Sequence, residues 1–401
     1  MSRNVRLGIV MWLGLVWLVP FGTVDGLEAC TTAVLNGRAT LKGVPMLWKN
    51  RDTNVLSNKV IFVKETPYSY LALVNADETS GRWVYAGLNE TGFGIMNSVA
   101  YNLPKKSREM EDLEGLIMAD ALRTCRTVED FENYIQKNLG ASLGSWANFG
   151  VIDGEGAAVL FEIHNHGCET YDTRQAERNY LINSNFSRSG KTGKGAGYLR
   201  FYRATDLFAR LPRGQVSHRD ILTTMARDFG HPLLKHPGLK ELKQFSGDEP
   251  VWIMSRDTIN RSITSAAVVI EGRKPGEKGS MACMWVILGE PVCSLALPLW
   301  VEAGASPAPL HEGKMAPICR QAGRIKRKIR PYTESDREDY MNVSRLDNKE
   351  GKGFLPILLE AEQEIFSAAE TFLKRERTPE ELARFQERMA RQALATLKGI
   401  K

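Results

Sequence analysis

Cys30-Thr-Thr-Ala-Val-Leu-Asn-Gly37 is followed, across the connection 38–44, by Pro45-Met-Leu-Trp-Lys-Asn-Arg-Asp52. Both stretches are rich in β-branched, aromatic and aliphatic residues and are punctuated by Gly, Asn, Asp and Pro, which reads as two strands. The connection contains Gly43 and is of hairpin length, so the strands can pair antiparallel and bring Asp52 back beside Cys30. Four more strand-like runs follow at 59–65, 70–76, 82–89 and 93–100. Helical spacing of apolar residues then appears near 111–125 and 128–137, the second opening with Thr127 ahead of Glu129 and Asp130 as an N-cap. Strands return at 146–152, 156–164, 168–173 and 179–186, helices at 198–211 and 216–229, and strands again at 262–271, 281–288 and 293–300. Blocks of strands alternating with blocks of helices are satisfied most economically by two antiparallel sheets with helices packed outside, an α+β class.

The segment 303–352 reads as irregular, with a basic run of Arg320, Arg324, Lys326, Arg327, Lys328 and Arg330 that is expected to be a solvated face. From 354 onward two helices are expected, the second started by Thr378-Pro379-Glu380-Glu381, forming a C-terminal hairpin on the main body. The resulting division is a leader over 1–29, a catalytic body over 30–302 and a C-terminal extension over 303–401.

In the leader, Arg3 and Arg6 precede an apolar run over 7–21, shorter than the ~20 residues of a membrane span. This describes a secretory signal peptide cut after the small residue Ala29, giving a secreted or periplasmic protein whose first residue is Cys30. A lipoprotein reading, Leu27-Glu28-Ala29-Cys30 with a lipid on the sulfur, competes with it and would supply a membrane anchor. The chain has 401 residues and a net charge of +6, too weak and too evenly spread to indicate a nucleic-acid partner. Six cysteines in a chain of this length make no disulfide framework, and none are spaced as CxxC.

Three motifs are set aside. Gly140-Ala-Ser142-Leu-Gly144 matches a serine-hydrolase string, but a helix precedes it and a strand follows, the reverse of the required context. The Gly-Lys-Thr within 189–197 lacks the leading Gly of a phosphate loop, since Asn185 stands there. His164 and His166, near Cys168, are the best metal candidates, yet they read more simply as polar residues where a strand meets a turn. No metal and no organic cofactor are expected.

A cysteine at a new N-terminus carries its own base. The thiol pKa is about 8.5 and that of an α-amine about 7.7–8.0, so the amine can take the thiol proton near neutral pH. Such a site still needs a carboxylate to orient the ammonium and donors for the oxyanion. Asp52 supplies the first, and Asn97, in the turn-strand sequence Gly87-Leu-Asn-Glu-Thr-Gly-Phe-Gly-Ile-Met-Asn97-Ser98, can supply the second.

CTTAV, WKNRD and GLNETGFGIMNS in that order, then Asn179-Tyr-Leu-Ile-Asn183-Ser-Asn185-Phe-Ser187 and Gly197-Tyr-Leu-Arg200-Phe-Tyr-Arg203, resemble the N-terminal nucleophile cysteine hydrolases. These are the group of choloylglycine hydrolases, penicillin V acylases and isopenicillin-N acyltransferases; the late runs SITSAAVVIEG and ACMWVILGEP look like the group's paired core strands. The similarity spans Cys30 to about Trp300, and nothing beyond it has a counterpart. It implies a four-layer αββα sandwich and a hydrolase or acyltransferase acting on a linear, non-peptide amide through a thioester on Cys30. It further implies Asp52 as holder of the amine, Asn97 and Asn185 as oxyanion or polarising donors with Asn183 as the alternative to Asn185, and Arg200 as the supporting cation. Lys49 stands where bile-salt and penicillin V enzymes have Arg, so that a point charge replaces a planar fork; either Arg51 compensates or the substrate differs. Lys49, Arg51 and Asn183 are the expected substrate contacts. The partner is thus a small-molecule amide. A dipeptidase-like hydrolase, a lipid-anchored binding protein, and monomer or homo-oligomer all stay open.

Overall fold

The computed structural model describes residues 29–104, 112–276, 281–333 and 337–400. The expected signal peptide lies outside these residues, except Ala29, which is already the first residue of β1.

The front sheet is built on β1 (Ala29–Leu35) and β2 (Met46–Asp52), joined as the expected antiparallel hairpin. β3 (Asn58–Val63), β4 (Tyr70–Asn75), β5 (Ala86–Asn89), β6 (Gly94–Val99), β7 (Trp146–Ile152), β8 (Ala158–His164) and β9 (Gly167–Asp172) form the back sheet as a seven-stranded meander, in sequence order. The chain then returns to the front sheet with β10 (Tyr180–Asn183). After the short β11 (Trp252–Met254), it adds β12 (Thr264–Glu271), β13 (Cys283–Leu288) and β14 (Leu297–Leu299), giving the order β10-β1-β2-β12-β13-β14. β11 pairs outside both sheets with β15 (Tyr340–Asn342), a ribbon too short to show a period in the sequence.

The sheets pack face to face, β1 and β2 against β6 and β7. Gly150 of β7 marks how close they come: a Cβ there would meet Val34 Cγ2 of β1 at 2.8 Å. Helices α1 (Glu114–Thr124) and α2 (Val128–Asn138) cover the back sheet, and Phe131 of α2 sits edge-on to Phe161 at 5.1 Å in a fully buried cluster. Truncating such a ring costs about 3–5 kcal/mol. Thr127 caps α2 as expected, in a reciprocal box with Asp130. Asn89 ties α1 to the sheet, its amide donating to Leu122 O and Cys125 O at 2.8 Å each. On the front sheet, α3 (Tyr198–Ala209) covers β1 and β10, with Phe208 stacked on Trp48. The layer order is therefore αββα.

Several expectations over 179–300 are shortened. The strand 179–186 spans only β10, and of 293–300 only β14 is strand, after a 3₁₀ turn that ends at Cys293. Within 216–229, the short helix α4 (His218–Asp220) runs straight into a π-turn, Ile221–Met225. The segment 303–352 is more ordered than expected. It holds α5 (Ala308–His311) and the amphipathic α6 (Pro317–Ile329), whose Ile318, Ala322, Ile325 and Ile329 fall at helical spacing and are buried. The charges between these four aliphatics hide the period. Nor is the basic run of α6 simply a solvated face: Arg330 forks onto Glu290, Lys326 approaches the same carboxylate at 3.7 Å, and Arg324 binds Leu397 O and Ile400 O. α7 (Leu355–Phe372) and α8 (Pro379–Gly399) follow; Thr378 caps α8, and the buried Arg227–Glu362 pair ties α7 to the body. Both helices belong to the hydrophobic core of the front sheet. No helix among the described residues is long and apolar enough to cross a membrane.

Candidate active site

The β1–β2 register sets the site. Cys30 pairs with Arg51, Thr32 with Lys49, and Ala29 with Asp52. Side chains alternate along a strand, so Cys30, Arg51 and Lys49 share the face toward the back sheet, whereas Thr31, Asn50 and Asp52 point toward the helical layer. Asp52 therefore lies opposite Ala29, one residue from the expected position. It is placed for the nitrogen of Cys30 rather than for its thiol.

That nitrogen is a peptide N–H in the unprocessed chain and stands in for the α-amine that cleavage after Ala29 would create. It donates to Asn185 Oδ1 at 2.9 Å. Asn185 is thus turned with its oxygen toward Cys30 and its Nδ2 donating to Val99 O at 2.9 Å, so it serves as an acceptor for the amine instead of the expected oxyanion donor. Arg200, from the first turn of α3, is buried and binds three groups: Cys30 O at 2.6 Å, Thr31 Oγ1 at 3.0 Å and Asn185 Oδ1 at 2.7 Å. Gly197 begins that helix at φ +79°, and a Cβ on it would lie 2.4 Å from Arg200 Nη2. The backbone there has to be glycine for the guanidinium to reach the strand.

Asp52 is fully buried. Its Oδ1 accepts from Thr264 Oγ1 at 2.7 Å, and Arg200 and Arg261 stand 3.7 and 3.9 Å from Oδ2. Oδ2 itself has no hydrogen-bond partner among the described residues. Burial pushes the carboxyl up from the usual range, against the pull of Arg261, Arg200, Thr264 and Lys49. A peptide nitrogen has one hydrogen to give, whereas an ammonium has three, and a buried carboxylate oxygen short of a donor is the complement of the extra two.

On the thiol's face, Cys30, Lys49, Arg51, Tyr85, Asn97, Ser98 and Val99 line one small cleft, which Asp52 also borders from its place at the end of β2. Lys49 Nζ donates to Tyr85 O at 2.8 Å and to Asn97 Oδ1 at 2.6 Å. Arg51 lies flat on the Tyr85 ring, 3.5 Å from its centroid, and its fork is held by Asn58 and Asn75. The amide Nδ2 of Asn97 donates to Glu114 Oε2 at 2.7 Å, so a contact from Asn97 to an oxyanion would use its second amide hydrogen. Asn183 lies apart: its Oδ1 accepts from Arg188 at 3.1 Å, and it does not line the cleft.

The structure thus places Cys30, Asp52, Asn97, Asn185, Arg200, Lys49 and Arg51 around the start of β1, and sets beside them Glu114, Tyr85, Thr264 and Arg261, which the sequence motifs do not single out. Glu114 opens α1 and also accepts from Trp146 N at 3.3 Å. Burial and nearby Asp112 push its carboxyl well up, with Asn97 and Trp146 N acting against them. An acidic residue in a helix's first turn is so common that nothing singled it out. All six cysteines are free thiols. Ser142 lies exposed in the turn after α2. His164 Nδ1 accepts from His166 N at the β8–β9 turn, and no three potential metal ligands gather among the described residues.

No family model and no curated protein matches the chain. Among solved structures it is similar to a Caenorhabditis elegans N-acylethanolamine-hydrolyzing acid amidase ortholog, with 14% identity over 62% of this chain and 94% of that one and a TM-score of 0.41. It is similar to penicillin V acylase from Agrobacterium tumefaciens, with 15% identity over 68% and 86% of the two chains and a TM-score of 0.40. A conjugated bile acid hydrolase variant from Clostridium perfringens follows, with 13% identity over 65% and 89% and a TM-score of 0.36. Likenesses at this level assign no role to any residue.

Proposed function

We propose that the chain is an exported amide hydrolase or acyltransferase whose nucleophile is Cys30 once residues 1–29 have been removed. The observation that carries this reading is the buried end of β1. The Cys30 nitrogen is held by Asn185 Oδ1, and the orphaned Oδ2 of Asp52 lies at the neighbouring register position. The reading agrees with the resemblance of the sequence motifs to N-terminal nucleophile cysteine hydrolases.

In this mechanism the free α-amine takes the Cys30 proton, and the resulting ammonium is held by Asp52 and Asn185. The thiolate attacks the substrate carbonyl. Lys49, held by Tyr85 O and Asn97 Oδ1 on the same face as the thiol, stabilises the oxyanion together with Asn97. Collapse breaks the C–N bond, the ammonium returns its proton to the departing amine, and a thioester remains on Cys30. Water, or an acceptor amine in acyl transfer, then gives its proton to the α-amine and attacks the thioester carbonyl; the C–S bond breaks, the acyl group leaves as the acid or the new amide, and the ammonium returns its proton to the Cys30 sulfur. Arg200 fixes the Cys30 carbonyl, so the nitrogen and the thiol keep one geometry through both halves. The burial of Cys30, only 7% exposed in a central strand, further supports a chemical over an anchoring role for the sulfur.

Intact mass of the isolated protein, before and after iodoacetamide, tests the reading. A chain beginning at Cys30 and carrying an alkylatable thiol is expected; a lipid adduct on Cys30 or a chain still beginning at Met1 would sink it.

A further inference from the structure

Beside Asp52, the pairing of β12 with β2 is irregular. Thr264 pairs with Asp52 and Ala266 with Arg51, so Ser265 is the extra residue of a bulge, where ladder bonding is interrupted. The chain ahead of the bulge closes into a turn: Arg261 N donates to Thr264 Oγ1 at 3.0 Å, and Thr264 N to Arg261 O at 3.0 Å. The same hydroxyl gives its own hydrogen to Asp52 Oδ1, and the Arg261 guanidinium stands 3.9 Å from Oδ2. Residues 261–264 are therefore one unit that sets two of the groups bearing on the carboxylate.

What fastens that turn comes from the C-terminal extension. At its middle, Ser262 Oγ donates to Asp339 Oδ1 at 2.6 Å, while the Ser262 carbonyl accepts from Lys326 Nζ of α6. The other carboxylate oxygen of Asp339 accepts from Arg256 Nε at 2.7 Å. Its main-chain carbonyl takes Ser255 N and Ser255 Oγ at 2.9 Å each, and Arg330 Nη1 at 3.2 Å. Asp339, just ahead of β15, thus grips the loop between β11 and β12 near both of its ends. Lys326 and Arg330 are held in turn by Glu290, whose Oε1 also accepts from Asn260 Nδ2 at 2.8 Å. Burial alone would raise the Asp339 carboxyl, but Ser262 and Arg256 outweigh it and hold the group below its ordinary range, an ionised acceptor at neutral pH.

We propose that Asp339 is a positioning residue for Asp52: through Ser262 it fixes the turn 261–264, and so keeps the Thr264 hydroxyl and the Arg261 guanidinium on the buried carboxylate. The C-terminal extension is then a working part of the amine-holding site and not an appendage to it. This role rests on Asp52 being the holder of the Cys30 amine. Burial raises the Asp52 carboxyl, and Arg261 and Thr264 are among the groups that oppose it, so a turn that loosens lets the carboxyl rise further.

The test is the titration of Asp52 itself, followed by carbon NMR of the isolated protein labelled at its aspartate carboxyls, with Asp52→Asn identifying the signal. Ser262→Ala cuts the link without changing any charge. It should move the titration midpoint upward by about half a pH unit, the size expected when a hydrogen bond to a carboxylate is weakened and not lost. Ser262→Thr keeps the hydroxyl and should leave the midpoint near wild type. In an Asp339→Ala background the same Ser262→Ala change should have almost no further effect, since its partner is already gone. A midpoint unmoved by Ser262→Ala, or moved equally with and without Asp339, would overturn the proposal, whatever the variants do to thermal stability. The mass measurement on Cys30 reads separately. A chain that does not begin at Cys30 removes the amine that Asp52 would hold, whereas the coupling of Asp339 to Asp52 stands or falls on the titration.

Discussion

β12 ends on two buried carboxylates that have been treated in opposite ways. At its last residue, Glu271 is completely partnered: Oε1 meets His218 Nδ1 at 3.0 Å, and Oε2 accepts from Lys42 at 3.0 Å and Trp285 Nε1 at 3.1 Å. Burial alone would raise this carboxyl, but His218 and Lys42 outweigh it and hold the group at about 2. At its first residue, Thr264 gives one bond to Asp52, whose second oxygen has no hydrogen-bond partner and whose carboxyl is pushed up. Equal burial with unequal partnering distinguishes a carboxylate that ties elements together from one left ready for a charge that arrives later.

The largest effect that could break this contrast is at the nucleophile. Cys30→Ala should lower turnover of an accepted amide by more than about a thousandfold while leaving the thermal midpoint nearly unchanged, since a small buried side chain is trimmed by one atom. Residual activity near wild type in steady-state assays would remove Cys30 from the chemistry. Next is Asp52→Asn. It should reduce kcat by about 10²–10³-fold and abolish the acid limb of the pH–rate profile, because only the ionised carboxylate holds the ammonium. That limb falls as pH drops through a carboxyl pKa that burial has raised; a profile unchanged in shape would place Asp52 outside the mechanism.

Glu271 should answer in the other currency, stability. Its folded-state pKa lies below its unfolded value of about 4.3, so its contribution is present above that pH and is lost as pH falls toward about 2. Glu271→Gln should therefore cost roughly 2–3 kcal/mol at neutral pH, shrink that part of the wild-type acid destabilisation, and leave kcat within about twofold. Urea unfolding of both proteins at pH 7 and pH 3 measures it. Equal losses at both pH values would mean that the pair contributes only packing. The smallest effect sharpens the comparison. Thr264→Val removes the one hydroxyl bonded to Asp52 Oδ1, and it should move the acid limb upward and lower kcat about tenfold near its foot.

Much of the architecture could be read from local pattern. The strands of the back sheet carry β-branched and aromatic runs broken by turn residues, and Thr127 and Thr378 announce their helices by chemistry confined to four residues. α6 is hidden because its aliphatic stripe is only four residues deep in a basic run, and its cations find their carboxylate, Glu290, in a loop about 36 residues earlier than Lys326. At the site, residue types were legible while their orientations were not. Nothing in Asn185 says that its oxygen faces Cys30, and nothing in Asn97 says that Glu114 takes one of its amide hydrogens.

What the sequence determined by itself was the chemistry available: a cysteine placed to become an N-terminus, an acid on the next strand, amides and an arginine in fixed order, and two sheets to carry them. The tertiary structure decided how those groups are used. The one-residue register that sets Asp52 against Ala29, the reach of Arg200 over 170 residues to Cys30 O, and the pairing of Lys326 and Arg330 with Glu290 all depend on partners distant in the chain. A hydrogen bond takes its direction, and a buried charge its ionisation, from whatever packing places beside it. Neither is encoded within a strand or a helix.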